Sequence, residues 1–371
     1  MAYFEESYSK FLKIEAYFKF LLSLVTMSWL RKIIRIPSGF LSLVVFWLLV
    51  ICFNRFIHSW GNSTVFGLSG ILFVAHGQIL SKMLSVLINK SDVKEIFEWF
   101  KGLLQNTGND LLDNVVAVEM NKIYTIAIIV LRIFSVSLCT VPLSVTIYIQ
   151  VSDNDFYQYP SFIQEWSKYR VTHTFVFQST VLLALTSECF VLFIGINNIG
   201  VLNILTKLCQ ALNKPHIIAE HNVGNLLRAM VKLHAELIEH LNRFYDIFYF
   251  GFIIQLATSV LILLLNFHLI LHNNEQFIFY VLLASVMLQF TPFCVFGDII
   301  HGKTERIFTD LYQTLWYEMK LEDQKMILMM MIISQNTYGI KAAGMYDVNL
   351  IMLVQIVKLS FSYCMILYAF M

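Results

Sequence analysis

The stretch that most narrows what this chain can fold into is residues 348–371, VNLIMLVQIVKLSFSYCMILYAFM, an apolar run whose one charged residue is Lys358. About 20 apolar residues make a helix that crosses the hydrocarbon core of a bilayer, where the backbone has to satisfy its own hydrogen bonds. Gln355, Leu359, Ser362, Ile366 and Ala369 recur along it at spacings of four and three, so they share one helical stripe. Gln355 and Ser362 gain nothing from lipid. The stripe is therefore expected to face protein or water, leaving Met352, Ile356, Phe361 and Met365 for lipid or neighbouring helices. Spacing alone leaves two readings open, a packing seam between helices and the lining of a pore.

The remainder of the chain is of the same kind. With 58% hydrophobic and only 14% charged residues, 371 residues are too apolar for a soluble domain. The expected fold class is all-α, a polytopic membrane protein. A net charge of +1 gives no reason to invoke nucleic acid. Cys52, Cys139, Cys189, Cys209, Cys294 and Cys364 lie in or beside apolar runs without paired spacing, so buried thiols are expected, with no disulfide framework. Glu5, Glu6, Lys10, Lys13, Glu15 and Lys19 interrupt any signal-peptide core. Phe11, Ile14, Phe18, Leu21, Leu22 and Val25 instead predict an amphipathic helix lying at the membrane surface.

Hydropathy places seven spans, at about 36–53, 65–80, 123–150, 172–205, 244–271, 277–297 and 348–371. The second continues as helix past Lys82. The fifth belongs to one unbroken helix over 224–271 that enters the membrane near Phe244. The sixth is followed by a polar segment to residue 325 and a short apolar helix over 326–340. Twenty-one of the 26 Lys and Arg, Lys82 among them, fall on the side of the N-terminus, and only Arg55, Lys168 and Arg170 fall on the other. That bias puts the N-terminus in the cytoplasm and the C-terminus outside, the reverse of a G-protein-coupled receptor. Asn62, in NST, then faces outward as a glycosylation acceptor. Arg132 and Glu188 fall within antiparallel spans, both toward the cytoplasmic half. Either they pair, or Arg132 snorkels while Glu188 bonds to its neighbours.

In the C-terminal third, FCVFGDIIHGKTERI, YQTLWYEMKLEDQKMILMMMIISQ and GIKAAGMYDVNLIMLVQIVKLSFSYCMIL follow one another in the order and spacing of insect odorant receptors. The upstream KLHAELIEHLNRFYDIFYFGFIIQLATS is also similar to that family, so the resemblance covers about 231–367. Trp316-Tyr317-Glu318 and the KLSFSY beginning at Lys358 are its most specific parts. It implies one seven-helix receptor domain over 1–371, with the ligand-binding side in spans 1–4 (36–205) and a cytoplasmic assembly region and pore helix in 224–371. It further implies an odorant-gated, non-selective cation channel of four subunits in an olfactory neuron's plasma membrane. The partners would be the shared odorant co-receptor, a small volatile odorant and membrane lipid. The co-receptor's long insert between the fourth and fifth spans is missing here, which points to an odour-tuning subunit.

Carried over residue by residue, the family's ligand cavity falls on Phe66, Phe73, Thr140, Val141, Phe177, Thr180, Tyr280, Ala284 and Met287, an apolar set with few polar groups. Its pore falls on Ser362, Ile366 and Ala369. The apolar faces within 226–241 and 326–340 are expected to meet another subunit. The related gustatory receptors end in TY, five apolar residues and QF, where this chain has Ser362-Tyr363, CMILY and Ala369-Phe370. A gustatory channel is thus the nearest rival. A transporter would show repeat symmetry, which is not found. With no nucleophile elbow, phosphate loop or HExxH, neither an enzyme nor a cofactor is expected. His76, His173 and His268 are scattered, so no metal is expected.

Overall fold

The computed structural model describes residues 2–25, 40–58, 63–105, 108–151, 170–215, 217, 223–272, 277–342 and 346–370. The chain runs through α1 (Ala2–Val25), α2 (Phe40–His58), α3 (Ser63–Ile88), α4 (Lys90–Gly102), α5 (Asp110–Val151) and α6 (Arg170–Ala211). It continues through α7 (Val223–His272), α8 (Phe277–Tyr312), a 3-10 turn at Trp316–Glu318, α9 (Leu321–Ser334) and α10 (Leu350–Phe370). Between α9 and α10 the two-residue strands β1 (Lys341–Ala342) and β2 (Tyr346–Asp347) pair antiparallel. The fold is all-helical apart from this small ladder.

Among the described residues, Val65–Ile88, Asp110–Ser137, Thr180–Ala211, Val223–Leu271 and Phe279–Glu318 are long and apolar enough to cross a bilayer, and Leu49–His58 and Leu350–Ile366 are shorter apolar helices. Neighbouring helices run back and forth, as serial crossings require. Gly70 approaches Phe56 and Leu265, while Gly77 approaches Leu49 and Gly67 approaches Leu269, so α3 is antiparallel to both α2 and α7. Phe252 meets Phe293 at 4.4 Å and Gln255 donates to the Gln289 carbonyl at 3.4 Å, which sets α7 antiparallel to α8.

Two expectations are corrected. The apolar face of α1 does not lie on a membrane surface: Phe11, Ile14, Phe18 and Leu21 are buried against the protein. Phe18 sits 4.6 Å from Phe190, 5.2 Å from Phe193 and 5.5 Å from Phe97, centroid to centroid. Lys10 Nζ donates to Asn121 Oδ1 at 2.7 Å, and Tyr17 and Ser135 hydroxyls are 2.8 Å apart, which fixes α1 along α5. These four side chains stand in one row, and the aromatic surface of α4 and α6 covers them better than headgroups can. The helix that carries the sixth span continues past Gly297 into the polar segment, running through Pro292 to Tyr312. A proline in a membrane helix is tolerated where neighbouring groups re-satisfy the freed carbonyl, and polarity after residue 297 marks the bilayer's edge and not the helix's end. The 226–241 face is also covered within the chain, since Leu226, Leu227, Met230, Leu233, Leu237 and Leu241 are all buried. Of the six cysteines, Cys52, Cys189, Cys209, Cys294 and Cys364 are buried free thiols, and Cys139 lies outside the described side chains.

In the polar half of α7, His234 faces Ser334 on α9 at 3.5 Å. Burial pushes its pKa from the ordinary 6.5 down to about 4. His240, buried and stacked on Trp99 at 4.1 Å, is lowered too, by burial first and by Arg243 second. An unfolded chain takes up these protons below pH 6.5, whereas the native His234 refuses its proton until about pH 4. Stability from this site is therefore complete above pH 6.5 and lost as pH falls toward 4. Thermal unfolding of the detergent-solubilised protein should show a falling Tm over that interval, with a shallower fall in His234→Gln.

Gly297 is where the segment leading to α10 crosses α8. A Cβ built there would collide with the Val348 backbone carbonyl, and Val348 N–H is itself held by the Ile340 carbonyl at 2.7 Å. Neither atom can swing away. Gly297→Ala is expected to cost about 1–3 kcal/mol, read as a lowered Tm and loss of a monodisperse chromatographic peak. Gly302→Ala, five residues on with nothing within 4 Å of its Cβ, should be neutral or stabilising by about 0.5–1 kcal/mol.

Candidate functional site

Helix α10 begins at a side-chain cap, Asn349 Oδ1 accepting the Met352 N–H at 2.8 Å. It packs on its own protomer along one narrow seam, where Leu353, Ile356, Ser360 and Cys364 are buried. Phe361 flanks that seam, edge-on to Phe267 of α7 at 5.5 Å. Gln355, Leu359, Ser362, Ile366 and Ala369 lie nearly opposite and are exposed, Ile366 to 52%. The predicted stripe is thus not the seam by which this helix packs within its own chain. Lys358 is exposed beside it.

The residues singled out for ligand binding are spread over three surroundings. Phe66 stacks on Phe56 at 4.4 Å and Phe73 meets Phe53 at 5.2 Å, both between α2 and α3. Thr180 is buried and its hydroxyl lies 3.3 Å from His76 Nε2, so it joins α6 to α3 one turn below Phe73. His76 Nδ1 is in turn bonded to the Leu72 carbonyl at 2.5 Å. On α8, Met287 packs partly buried against the core, whereas Ala284 and Tyr280 are exposed, Tyr280 to 49%. Thr140 is exposed and returns its hydroxyl to the Ser137 carbonyl at 3.0 Å. The side chains of Val141 and Phe177, and Asn62 with its glycosylation motif, lie outside the described residues. Among the described residues no three His, Cys, Asp or Glu converge as metal ligands.

Between α3 and α6 lies a contact that sequence reasoning missed. Lys82 Nζ donates to Glu188 Oε1, with Lys82 1% and Glu188 7% exposed. Glu188 therefore pairs with Lys82 and not with Arg132, which is exposed and borders a cavity of ≈ 440 Å³ between α1 and α5. Lys82 stands two residues beyond the predicted end of the second span, where hydropathy counts it among the inner charges. Gly251 of α7 lies against the lysine's stem: a Cβ there would come within 3.3 Å of Lys82 Cγ, a tight approach that glycine avoids.

The sequence model of the 7tm Odorant receptor family matches residues 64–361. The chain belongs to that family. It is 23% identical over 234 residues to Odorant receptor 67b of Drosophila melanogaster, a match covering 59% of this chain and 52% of that one, so the chain spans about half the length of this curated relative. Its fold is similar to that of the insect olfactory receptor OR5 from Machilis hrabei, with a TM-score of 0.77 at 12% identity over 96% of this chain and 98% of that one. The same receptor in complex with eugenol gives a TM-score of 0.73 at 13% identity over 97% and 100%. This odorant receptor is thus a multi-pass membrane protein and not an enzyme.

Within the receptor, the Lys82–Glu188 pair joins two helices that run the same way, as the parallel step from His76–Thr180 to Lys82–Glu188 shows. A charge left alone in such a site is expensive, whereas an apolar pair of similar volume is close to neutral. Lys82→Met or Glu188→Leu alone is expected to lower stability by about 3–5 kcal/mol, and the double variant should recover most of the loss. A double-mutant cycle on Tm and surface expression measures this, and additive losses would show that the pair does not couple.

Proposed function

We propose that this chain is the odour-tuning subunit of an odorant-gated, non-selective cation channel, assembled as a heterotetramer with the shared co-receptor. It works in the plasma membrane of an olfactory neuron's dendrite. The observation that carries this reading is the face of α10. A helix that packs by one seam and leaves Gln355, Ser362, Ile366 and Ala369 exposed opposite it has the surface a central pore would use. Ile366 supplies an apolar ring that closes by dewetting, and Ala369 adds no amide to the outer mouth. Exposed Leu328, Met329 and Ile332 on α9, with Tyr317 beside them, form the cytoplasmic patch for a neighbouring subunit.

Orientation supports the same reading. Lys82 is set aside as a buried partner of Glu188, and the other Lys and Arg still lie overwhelmingly on the N-terminal side. The ligand is a small volatile molecule, as eugenol is for the relative of like fold. Its site draws on the outer parts of spans 2, 3, 4 and 6, with Phe66, Phe73, Thr140, Val141, Phe177, Thr180, Tyr280, Ala284 and Met287 as the contacts, in the 36–205 half and on α8. Asn62 is the outward glycosylation acceptor.

Four measurements test the proposal. Impermeant reagent on intact cells should label a tag after Met371 and not one before Met1; the opposite result overturns the pore reading, because α10 would run the wrong way. In excised patches with the co-receptor, Ile366→Ser should raise basal current and Ala369→Gln should alter cation selectivity, with odorant ranking unchanged by either. Bulk added at Ala284 or removed at Tyr280 should shift odorant potency by about 5–150-fold, the ~1–3 kcal/mol a methylene-scale change is worth, while co-receptor agonists act normally. Leu328→Asp should abolish co-purification with the co-receptor.

A further inference from the structure

At the cytoplasmic ends of α5, α6 and α8 the helices part around a cavity of ≈ 320 Å³. Lys122, Lys207, Lys303 and Arg306 line it, together with Asn203 and a single carboxylate, Glu119. Glu119 is engaged by its own neighbour, Lys122 Nζ donating to Oε1 at 2.7 Å. Lys207 reaches only the neutral Gln210 Oε1, at 3.4 Å. Neither Lys303 nor Arg306 forms an ion pair or side-chain hydrogen bond among the described residues. Three helices thus hold four cations around one hollow with one anion between them. Lys303 is half-buried, and burial first and the adjacent Arg306 second hold its pKa below the usual lysine value, against the weaker pull of Asp310 and Glu119.

We propose that this cavity binds a polyphosphorylated anion, the headgroup of a phosphoinositide of the inner leaflet. Charge recommends the phosphate cluster. Arg and Lys converging from separate helices suit several phosphate oxygens at once, and a basic hollow between membrane helices on the cytoplasmic side is the usual form of such a site. Position recommends the lipid over a free headgroup. Lys122 adjoins the predicted inner end of its span, and above it on the same face of α5 stand Ile126, Ile129, Ile133 and Val136, exposed at 49%, 51%, 60% and 63%. Counting from Lys122, they fall four, seven, eleven and fourteen residues on, one continuous apolar track rising from the rim of the basic cavity. A headgroup seated in the hollow would lay its acyl chains along that track. The leaflet rests on the orientation proposed above, but the binding chemistry does not.

The experiment uses the full-length receptor in phosphatidylcholine nanodiscs, with binding of a fluorescent phosphatidylinositol bisphosphate compared with phosphatidylserine at matched charge. Wild type should prefer the phosphoinositide. A basic side chain beside an anionic headgroup contributes about fivefold, so Lys303→Gln/Arg306→Gln should weaken binding by about 25-fold. Glu119→Gln should tighten it severalfold, a gain that misfolding cannot produce. Soluble inositol trisphosphate separates the sources: weaker binding than the lipid supports the lipid, and equal binding supports the same cavity as a free-polyphosphate site. Equal binding of the two lipids overturns the proposal. So does an equal loss in the exposed control pair Lys320→Gln/Lys325→Gln.

Discussion

Everything in this molecule follows from the requirement that a backbone in hydrocarbon bond to itself. Long helices meet it internally, so the chain is free to choose only which faces touch. Polar side chains buried in those faces obey the same rule on a smaller scale. Ser69 donates to the Val65 carbonyl at 2.7 Å, Thr186 to Leu182 at 2.8 Å, Asn197 to Phe193 at 2.8 Å and Asn266 to Ile262 at 2.9 Å. Each returns a hydrogen to the preceding turn of its own helix, so that donor is satisfied without a partner from another element. Thr180 with His76 and Gln255 with the Gln289 carbonyl bond across helices instead, and Lys82 with Glu188 departs furthest, because full charges need each other; that pair ties α3 to α6.

Packing then divides the molecule by chemistry. Its lower part, where α1, α4, α5 and α6 meet, is an aromatic core: Phe11, Phe18, Phe97, Phe190 and Phe193 form a connected set with centroids 4.6–6.4 Å apart. Such rings interlock and hold a fixed geometry. Helix α10 is attached differently, through one seam and the crossing at Gly297. The helix assigned to permeation is therefore held by α7 and α8 and stands apart from the aromatic core.

What the sequence made legible was what hydropathy controls directly. The spans, the unbroken run from α7's polar half into its apolar half, and the α10 stripe all came from spacing, because a bilayer punishes exceptions to that pattern. What it did not show were choices among equally apolar partners. Phe11, Ile14, Phe18 and Leu21 form an apolar row whether they meet lipid or Phe193, and only the fold decides. The end of α8 was hidden because loss of hydropathy after Gly297 looks like loss of helix. Lys82 was hidden because a lysine near the end of an apolar run ordinarily reaches water, and its true partner is 106 positions away. Of the residues chosen for ligand contact, Thr180 and Phe73 fall close together around His76 and the α2–α3 seam, while Tyr280 and Ala284 stand on an exposed face of α8 that periodicity alone could not have oriented.

Helix α7 is 50 residues without a break, about 75 Å at ~1.5 Å per residue. Its C-terminal half packs on α3 and α8, and its N-terminal half carries the buried leucines. A rod of that kind transmits angle as distance: with a fulcrum near Phe244, the remaining 22 residues form an arm of about 33 Å, so a tilt of about 5° moves its tip by about 3 Å. Motion too small to break a contact inside the bilayer becomes, below it, a displacement as large as a hydrogen bond is long.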